Sequence, residues 1–401
     1  MESSSFSDSA SRTALIHDWL TDWGGGENLL SALASCLEKP DLYSLIDFLP
    51  REHRARLPVG KSHTSFIQLL PGAATKFWNY LFLMPSAIES FDLSRYERVI
   101  SSSHAFAKGI LTNSDQLHIS YLHTPMRYAW DLHHQYLADY GLDNGLRGWF
   151  ARAMFHRLRQ WDRQTANNVD LFVANSTNVA RRIWRTYRRR SVVIYPPVET
   201  SRFVPAPERE NYYVSVSRLV SYKRIDLVVQ AFRQMPQRRL LVIGDGPEYG
   251  KLKAQAGPNI EFLGYQPDTV VADHLARALA LVFAANEDFG ITPVEAQSAG
   301  TPVIAFRGGG ALETVIDARS AREGTGIFFD QQTPSSLAAT IQESESILAN
   351  ISPLACRVQA QRFSSEIFHR RFTRLLEQAT GAWDSTRDAP AGFEAAVLDN
   401  V

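Results

Sequence analysis

The sequence predicts an α/β protein made of two parallel-sheet halves. Three observations predict it. Apolar runs of strand length alternate with helical patterns along most of the chain, the order that builds parallel sheets. The alternation stops at "PPVETSRFVPAPEREN", residues 196–211, a proline-rich stretch, and then starts again. The length of 401 residues, 45% apolar and 21% charged, suits two soluble domains better than one.

The elements follow in order. "RTALIHDWL" (12–20) reads as a strand leaving into a loop, and "GGGENLLSALASCL" (24–37) as glycines followed by a helix. "LLPGAATKFWNYLFLMPSAIESF" (69–91) is unusually apolar around residues 77–84, so it is either buried between elements or set in a bilayer interface. Further strands are expected within 95–110 and 117–125. "DLFVANSTNVARRIW" (170–184) reads as strand, Asn175-Ser176 cap and helix, and "SVVIYPPV" (191–198) as a last strand before the linker. The second half repeats the pattern, with strands at 212–219, 239–247, 260–265, 280–287, 302–306 and 326–330.

Formal net charge is zero, so nothing in the overall balance calls for a nucleic-acid partner. The distribution is uneven. Residues 147–190 hold eleven arginines and only Asp162 and Asp170 as acids, which suits either a solvated helix face or an anionic surface. Cys36 and Cys356 are too few for a disulfide framework and read as small packing residues, with a reducing cytoplasm the simplest home. The first twelve residues lack the basic and apolar regions of a signal peptide, and no uncharged apolar run is long enough to span a bilayer.

In open parallel sheets ligands bind beyond the carboxyl ends of strands, and two halves on a linker place a cleft there. The polar clusters fall at such ends. "NEDFGITPVEAQSAGTP" (286–302) runs from a buried strand through a tight turn into a helix with Pro293 in its first turn. The N–H groups of Phe289, Gly290, Ile291 and Thr292, aided by the helix dipole, suit a phosphate. Glu295, one turn in, suits a ribose diol, and Glu287, across the turn, the hydroxyls of a sugar ring. The spacing therefore fits a nucleotide-sugar. Arg218 and Lys223 in "SRLVSYKRIDL" (217–227) could pair with a diphosphate and neutralise it as it departs. Gly25 and Gly26 allow close backbone approach by a ligand. Gly246 in "IGDGP" and Tyr265 in "FLGY" could hold a base. His104 and His123 follow first-half strands and could each bond a sugar hydroxyl or serve a structural role. Arg127, Tyr128, Trp130 and Asp131 read either as an acceptor-sugar platform or as helix-to-sheet packing. No Asp-x-Asp is present to chelate a divalent ion.

These motifs resemble glycosyltransferase family four, a retaining family of GT-B fold. "EDFGITPVEAQSAGTPVIA" is similar to its Glu-x7-Glu signature. "SRLVSYKRID", "IGDGP", "FLGY" and "VVIYPPVETSRF" stand in the order of its other motifs. "HDWL…GGGEN", "HTPMRYAWD" and "NSTNVARRI" are similar to bacterial O-antigen and exopolysaccharide mannosyltransferases. The resemblance implies two Rossmann-like domains facing across a cleft. Residues 1–11 would form a disordered tail, 12–195 an acceptor-side domain, 196–210 a linker and 211–362 a donor domain. Residues 363–380 would form a helix crossing back, and 381–401 a flexible tail. It further implies that Glu295 holds the ribose and Glu287 the donor sugar, that Arg218 and Lys223 stabilise the leaving diphosphate, and that His104 touches the sugar.

The expected activity is metal-independent, cofactor-free transfer of a hexose, mannose from GDP-mannose in the best reading, to a lipid-linked saccharide at the inner face of the cytoplasmic membrane. A UDP-sugar donor, an epimerase and a non-catalytic nucleotide-sugar-binding partner are the alternatives.

Overall fold

The computed structural model describes residues 13–142, 144–386 and 393–398. The chain divides into two compact units, Met1–Ile194 with His369–Val401, and Tyr195–Phe368.

The first unit is a seven-stranded sheet in the order β3-β2-β1-β4-β5-β6-β7, parallel throughout. Its strands are β1 (Thr13–His17), β2 (Asp41–Ser44), β3 (Ser62–Thr64), β4 (Arg98–Ser103), β5 (Leu117–Leu122), β6 (Leu171–Ala174) and β7 (Val192–Val193). Central strands are buried on both faces, which is why "ALI" (14–16) and "LFVA" (171–174) read as unbroken apolar runs. β2 and β3, short and polar at their ends, carry too weak a pattern to be found in the sequence.

The second unit is a six-stranded parallel sheet in the order β10-β9-β8-β11-β12-β13. Its strands are β8 (Tyr213–Val216), β9 (Leu240–Ile243), β10 (Ile260–Gly264), β11 (Ala280–Phe283), β12 (Val303–Phe306) and β13 (Gly326–Phe329). All six lie in the intervals the sequence marked. In each sheet the chain builds outward from its first strand and then crosses to the opposite side. The strand order reverses between β1 and β4 in one unit, and between β8 and β11 in the other. The loops leaving those four strands therefore diverge, leaving a crevice at each switch point.

Several expectations are corrected. The apolar stretch 69–91 is a series of short turns and helices rather than one helix, with Phe77, Leu81, Met84, Ala87 and Ile88 in the core and Trp78 and Phe82 exposed. Residues 196–210 are tied down: the Val198 N–H donates to the Phe363 carbonyl at 2.9 Å, and Arg209 donates to the carbonyls of Leu348, Gly300 and Ile351. The closing helix is Ser365–Thr386, longer than expected, and the division between units passes through its first turn. The segment 381–401 is not uniformly a tail. Phe393–Leu398 is helical, with Phe393 and Val397 buried and Phe393 edge-on to Trp383. The tail expected over 1–11 lies outside the described residues. Lys108, which its place after a strand suggests is solvated, is instead wholly buried, 3.0 Å from the equally buried Asp162, with its ammonium also donating to the Asp162 carbonyl and to Thr165 Oγ1.

Candidate functional site

In the second unit the switch point brings Lys223 to Glu287. β8 delivers Ser217 and Arg218, and the turn Ser221–Lys223 brings Lys223 back over the sheet edge. β11, hydrogen-bonded directly to β8, delivers Glu287. The two loops meet: Lys223 Nζ lies 2.5 Å from Glu287 Oε1, and both side chains are 19% exposed. Glu287 and Lys223 are thus one ion pair. Arg218 is exposed and makes no ion pair among the described residues.

The turn after Glu287 has the shape its sequence suggested. Gly290, at φ 87°, caps the helix Ile291–Ser298 without any side-chain bond, leaving the helix start to outside acceptors. Phe289 is buried and anchors the turn against Tyr195 and Phe363. Ile291 and Thr292 open the helix. A feature not singled out from the sequence is "RGGG", residues 307–310. Gly310 donates its N–H to the Glu287 carbonyl at 2.9 Å, and a Cβ there would stand 2.3 Å from Phe289 Cα. A Cβ on Gly309, at φ 61°, would stand 2.1 Å from the Glu287 oxygen. These glycines hold the turn in place, and three in a row just past a strand is the signal that could have found them.

Glu295 is engaged by Arg202, whose guanidinium also reaches Asp268 at 2.9 Å. Burial pushes the Glu295 carboxyl above its ordinary range; Arg202 opposes that shift and Asp268 adds to it. Arg202 was not foreseen, since it lies in the stretch read as linker. Gly246 has a sufficient structural reason: its Cβ would stand 2.5 Å from the Leu219 oxygen. Tyr265 is 78% exposed. A cavity of about 630 Å³ in this unit is lined by residues of 202–210 and 272–277, and only Arg202 connects it to these side chains.

In the first unit the switch point holds residues the sequence reading passed over. β1 ends at His17 and is followed by Asp18; β4 beside it is followed by His104. Asp18 is completely buried. Its carboxylate accepts the backbone N–H groups of His104, Ala105, Phe106 and Ala107 and lies 2.9 Å from His104 Nδ1. Burial alone would raise its pKa, but the neighbouring His104 and His17 hold it well below the carboxylate range. Burial would lower His104; the Asp18 charge outweighs it and raises the imidazole above its usual value. The pairing at Nδ1 leaves Nε2 of His104 as the nitrogen for a ligand.

A second relay runs from His17 Nδ1 to Ser102 Oγ at 3.2 Å, and from Ser102 Oγ to His123 Nε2 at 3.0 Å. Burial, together with the charges of His104 and His17, depresses His123 to about 3, so it is neutral and serves the relay. The helix Gly25–Ser35 starts at Gly24, whose N–H donates to Glu27 at 2.9 Å. A Cβ on Gly26 would meet only His17, at 4.0 Å, so chain packing does not demand a glycine there. Trp19 packs edge-on to His104 at 4.4 Å and to Trp78 at 4.8 Å.

The acceptor platform is corrected. Tyr128 is a core side chain, so it lacks an open face for a sugar. Trp130 packs against that core and donates Nε1–H to Asp162 at 2.8 Å. Asp131 pairs with Arg182, and Arg127 is half-buried. Among the described residues no group of three or more His, Cys, Asp or Glu could hold a metal ion.

Residues 197–348, most of the second unit, match the family model of Glycosyl transferases group 1. The chain is 33% identical over 157 residues to a GDP-mannose-dependent alpha-(1-6)-phosphatidylinositol monomannoside mannosyltransferase of Mycolicibacterium smegmatis, a match covering 31% of this chain and 40% of that protein. It is 28% identical over 218 residues to a D-inositol 3-phosphate glycosyltransferase of Kineococcus radiotolerans, covering 45% of this chain and 50% of that protein. The matches thus span half or less of these relatives. The crystal structure of Anabaena HepE in complex with UDP and glucose superposes with a TM-score of 0.65 over 92% of this chain and all of that one, at 17% identity. That likeness establishes the fold, and the GT-B class expected from the sequence is borne out.

Proposed function

We propose that the chain is a retaining, metal-independent glycosyltransferase that moves a hexose from a nucleoside-diphosphate sugar to a lipid-linked saccharide, with GDP-mannose as donor, working at the inner face of the cytoplasmic membrane. The observation that carries the reading is the Lys223–Glu287 pair at the β8/β11 switch point, followed directly by an uncapped helix start and then Glu295. This order provides a lysine for the phosphates, amides for the anion, one carboxylate for the sugar ring and another for the ribose. Mannose is preferred because the Mycolicibacterium relative is GDP-mannose-dependent by name.

On this reading the diphosphate exchanges water for Arg218, Lys223 and the N–H groups at 289–292. As the glycosidic C–O bond breaks, negative charge grows on the departing phosphate and positive charge on the ring. The two cations stabilise the first. Glu287, freed from Lys223 as that lysine turns to the phosphate, holds the ring hydroxyls. The acceptor oxygen attacks from the face the phosphate leaves, and its proton passes to a phosphate oxygen. In the first unit, the pairing of His104 Nδ1 with Asp18 leaves Nε2 to meet a hydroxyl group.

A UDP-sugar donor is the second reading, favoured by the UDP-bound HepE structure that shares the fold. A donor screen decides. GDP-mannose should raise the melting temperature more than UDP-glucose does, and release of GDP should depend on added acceptor. Turnover of UDP-glucose alone would select the second reading. Product formed with no acceptor would indicate an epimerase, and binding without turnover of any donor a non-catalytic partner.

A further inference from the structure

The first unit buries Asp162 as completely as Asp18. Asp162 lies in the last turn of the helix Gly145–Thr165, and Lys108 beside it is equally enclosed. The three protons of the Lys108 ammonium have three acceptors: Asp162 Oδ1 at 3.0 Å, the Asp162 carbonyl at 2.7 Å and Thr165 Oγ1 at 2.8 Å. Two further donors meet the carboxylate. Trp130 Nε1–H donates to Oδ2 at 2.8 Å, and the Tyr187 hydroxyl lies 3.0 and 2.9 Å from Oδ1 and Oδ2.

These partners come from the segments that follow three adjacent strands. Lys108 follows β4, Trp130 follows β5, and Tyr187 ends the helix Thr177–Tyr187 that follows β6. One carboxylate thus ties three connections to one helix. Two of those connections begin with site histidines, His104 after β4 and His123 after β5. The turn after β4 is fixed at both ends. At its start the amides of His104, Ala105, Phe106 and Ala107 go to Asp18. At its end Lys108 goes to Asp162, and a Cβ on Gly109 would stand 2.3 Å from the Trp161 ring of the same helix.

Stability alone does not account for the pair. Removing two charges from water costs roughly as much as their attraction contributes, and apolar groups of like volume commonly do as well. What apolar packing lacks is direction. It lets a turn slide by a fraction of an ångström, whereas three short ammonium bonds do not.

We propose that Lys108 and Asp162 are positioning residues for His104: their pair fixes the turn 104–109 against the helix and so holds the imidazole in the bond to Asp18 that leaves Nε2 open. For its catalytic consequence the inference rests on the reading in which Nε2 meets a hydroxyl group. The positioning itself stands apart from that reading.

Lys108→Met with Asp162→Asn tests it. The double variant removes both charges at nearly constant volume and keeps an oxygen for Trp130 and Tyr187. Proton NMR on the full chain, labelled with nitrogen-15 at histidine, reads the His104 Nδ1 proton, and His104→Gln assigns it. In the unaltered chain that proton, bonded to Asp18, should give one sharp downfield signal. In the double variant it should broaden or shift upfield, read well below the melting transition. Turnover of GDP-mannose with a detergent-solubilised lipid-linked saccharide should fall about tenfold or more, mainly in kcat/KM for the acceptor. GDP affinity by calorimetry should change less than about twofold. A role in stability alone predicts the reverse: lower melting and an unmoved His104 signal. A folded double variant with that signal unmoved overturns the proposal. Should the double variant not fold, Tyr187→Phe takes its place. It removes one bond to Asp162 and leaves the ion pair, so the signal should shift less, and an unmoved signal there overturns the proposal too. A shifted signal in a chain that turns over no donor supports the positioning and removes the catalytic reading alone.

Discussion

Replacing Asp18 by Asn removes one charge and one acceptor atom from the centre of the first unit while hardly changing shape. The carboxylate accepts His104 and Ala105 N–H groups on Oδ2, at 2.6 and 3.1 Å, and Phe106 and Ala107 N–H groups on Oδ1, at 2.5 and 2.7 Å. An amide keeps one oxygen, so two of the four donors would face an NH2 group. Each buried donor so orphaned costs about 1–3 kcal/mol. The His104 pair loses its anion as well, and breaking a buried pair costs about 3–5 kcal/mol. These terms overlap, so we expect a loss of about 4 kcal/mol. At roughly 2–4 °C per kcal/mol for a unit of this size, that is a fall of about 8–16 °C in the melting transition of the first unit. Calorimetry on the full chain at neutral pH measures it. A fall of less than about 2 °C would refute the claim that Asp18 organises this loop.

The pH dependence adds a second check. Asp18 is held below its ordinary 3.8, so its contribution is present above that value and is lost as pH falls toward its depressed one. His104 is raised above 6.5, so its contribution is full below 6.5 and is lost as pH rises through the raised value. In the Asn variant this alkaline decline should vanish from the plot of melting temperature against pH.

The remaining predictions concern the second unit. On the proposed reading, Glu287→Gln should lower turnover by about a hundredfold or more, because the charge proposed to face the sugar ring is lost. Melting should hardly move, since a partly exposed pair such as Lys223–Glu287 contributes under about 1 kcal/mol; unchanged turnover would remove Glu287 from the site. Arg202→Ala should lift the Glu295 carboxyl further. If Glu295 holds the ribose as proposed, it must be ionised, so donor affinity by calorimetry should begin to fall at a higher pH than in the unaltered protein, and an unmoved profile would refute the link. Gly310→Ala should push the 287–289 turn aside and weaken donor binding at least tenfold while leaving melting of the first unit unchanged. Donor affinity within twofold of the original would show that this glycine does not support the site.

The second unit was more legible than the first because its chemistry is carried by consecutive residues. Strand, turn and helix start follow one another in "ALVFAANEDFGITPVEA", so local rules put Glu287 and Gly290 in the turn and Glu295 in the helix, as the structure has them. What escaped there depended on distant segments. Arg202 reaches Glu295 across 93 positions, and the glycines 309–310 take their meaning from backbone they cover. In the first unit the arrangement is almost wholly non-local. Asp18 acts on residues 86–89 positions away, and nothing in "HDWL" announces four amides waiting for it. The position of that residue at a strand end was nevertheless readable.

The same device recurs in the two units with opposite electrical sense. In the first, a buried anion draws in the amides that follow β4 and pairs with His104, so those amides are already satisfied and unavailable to a phosphate. In the second, the helix after β11 begins without a side-chain cap, just past the Glu287 that pairs with Lys223. Amides already bound to a carboxylate give a fixed, neutral-to-basic edge for orienting a hydroxyl. Amides left open give an anion site. On the proposed reading, the second switch point would take the phosphates of an activated sugar and the first an uncharged group at His104. Inverting a single residue in the first, Asp18→Asn, should therefore disturb handling of the hydroxyl partner and leave nucleoside-diphosphate affinity intact.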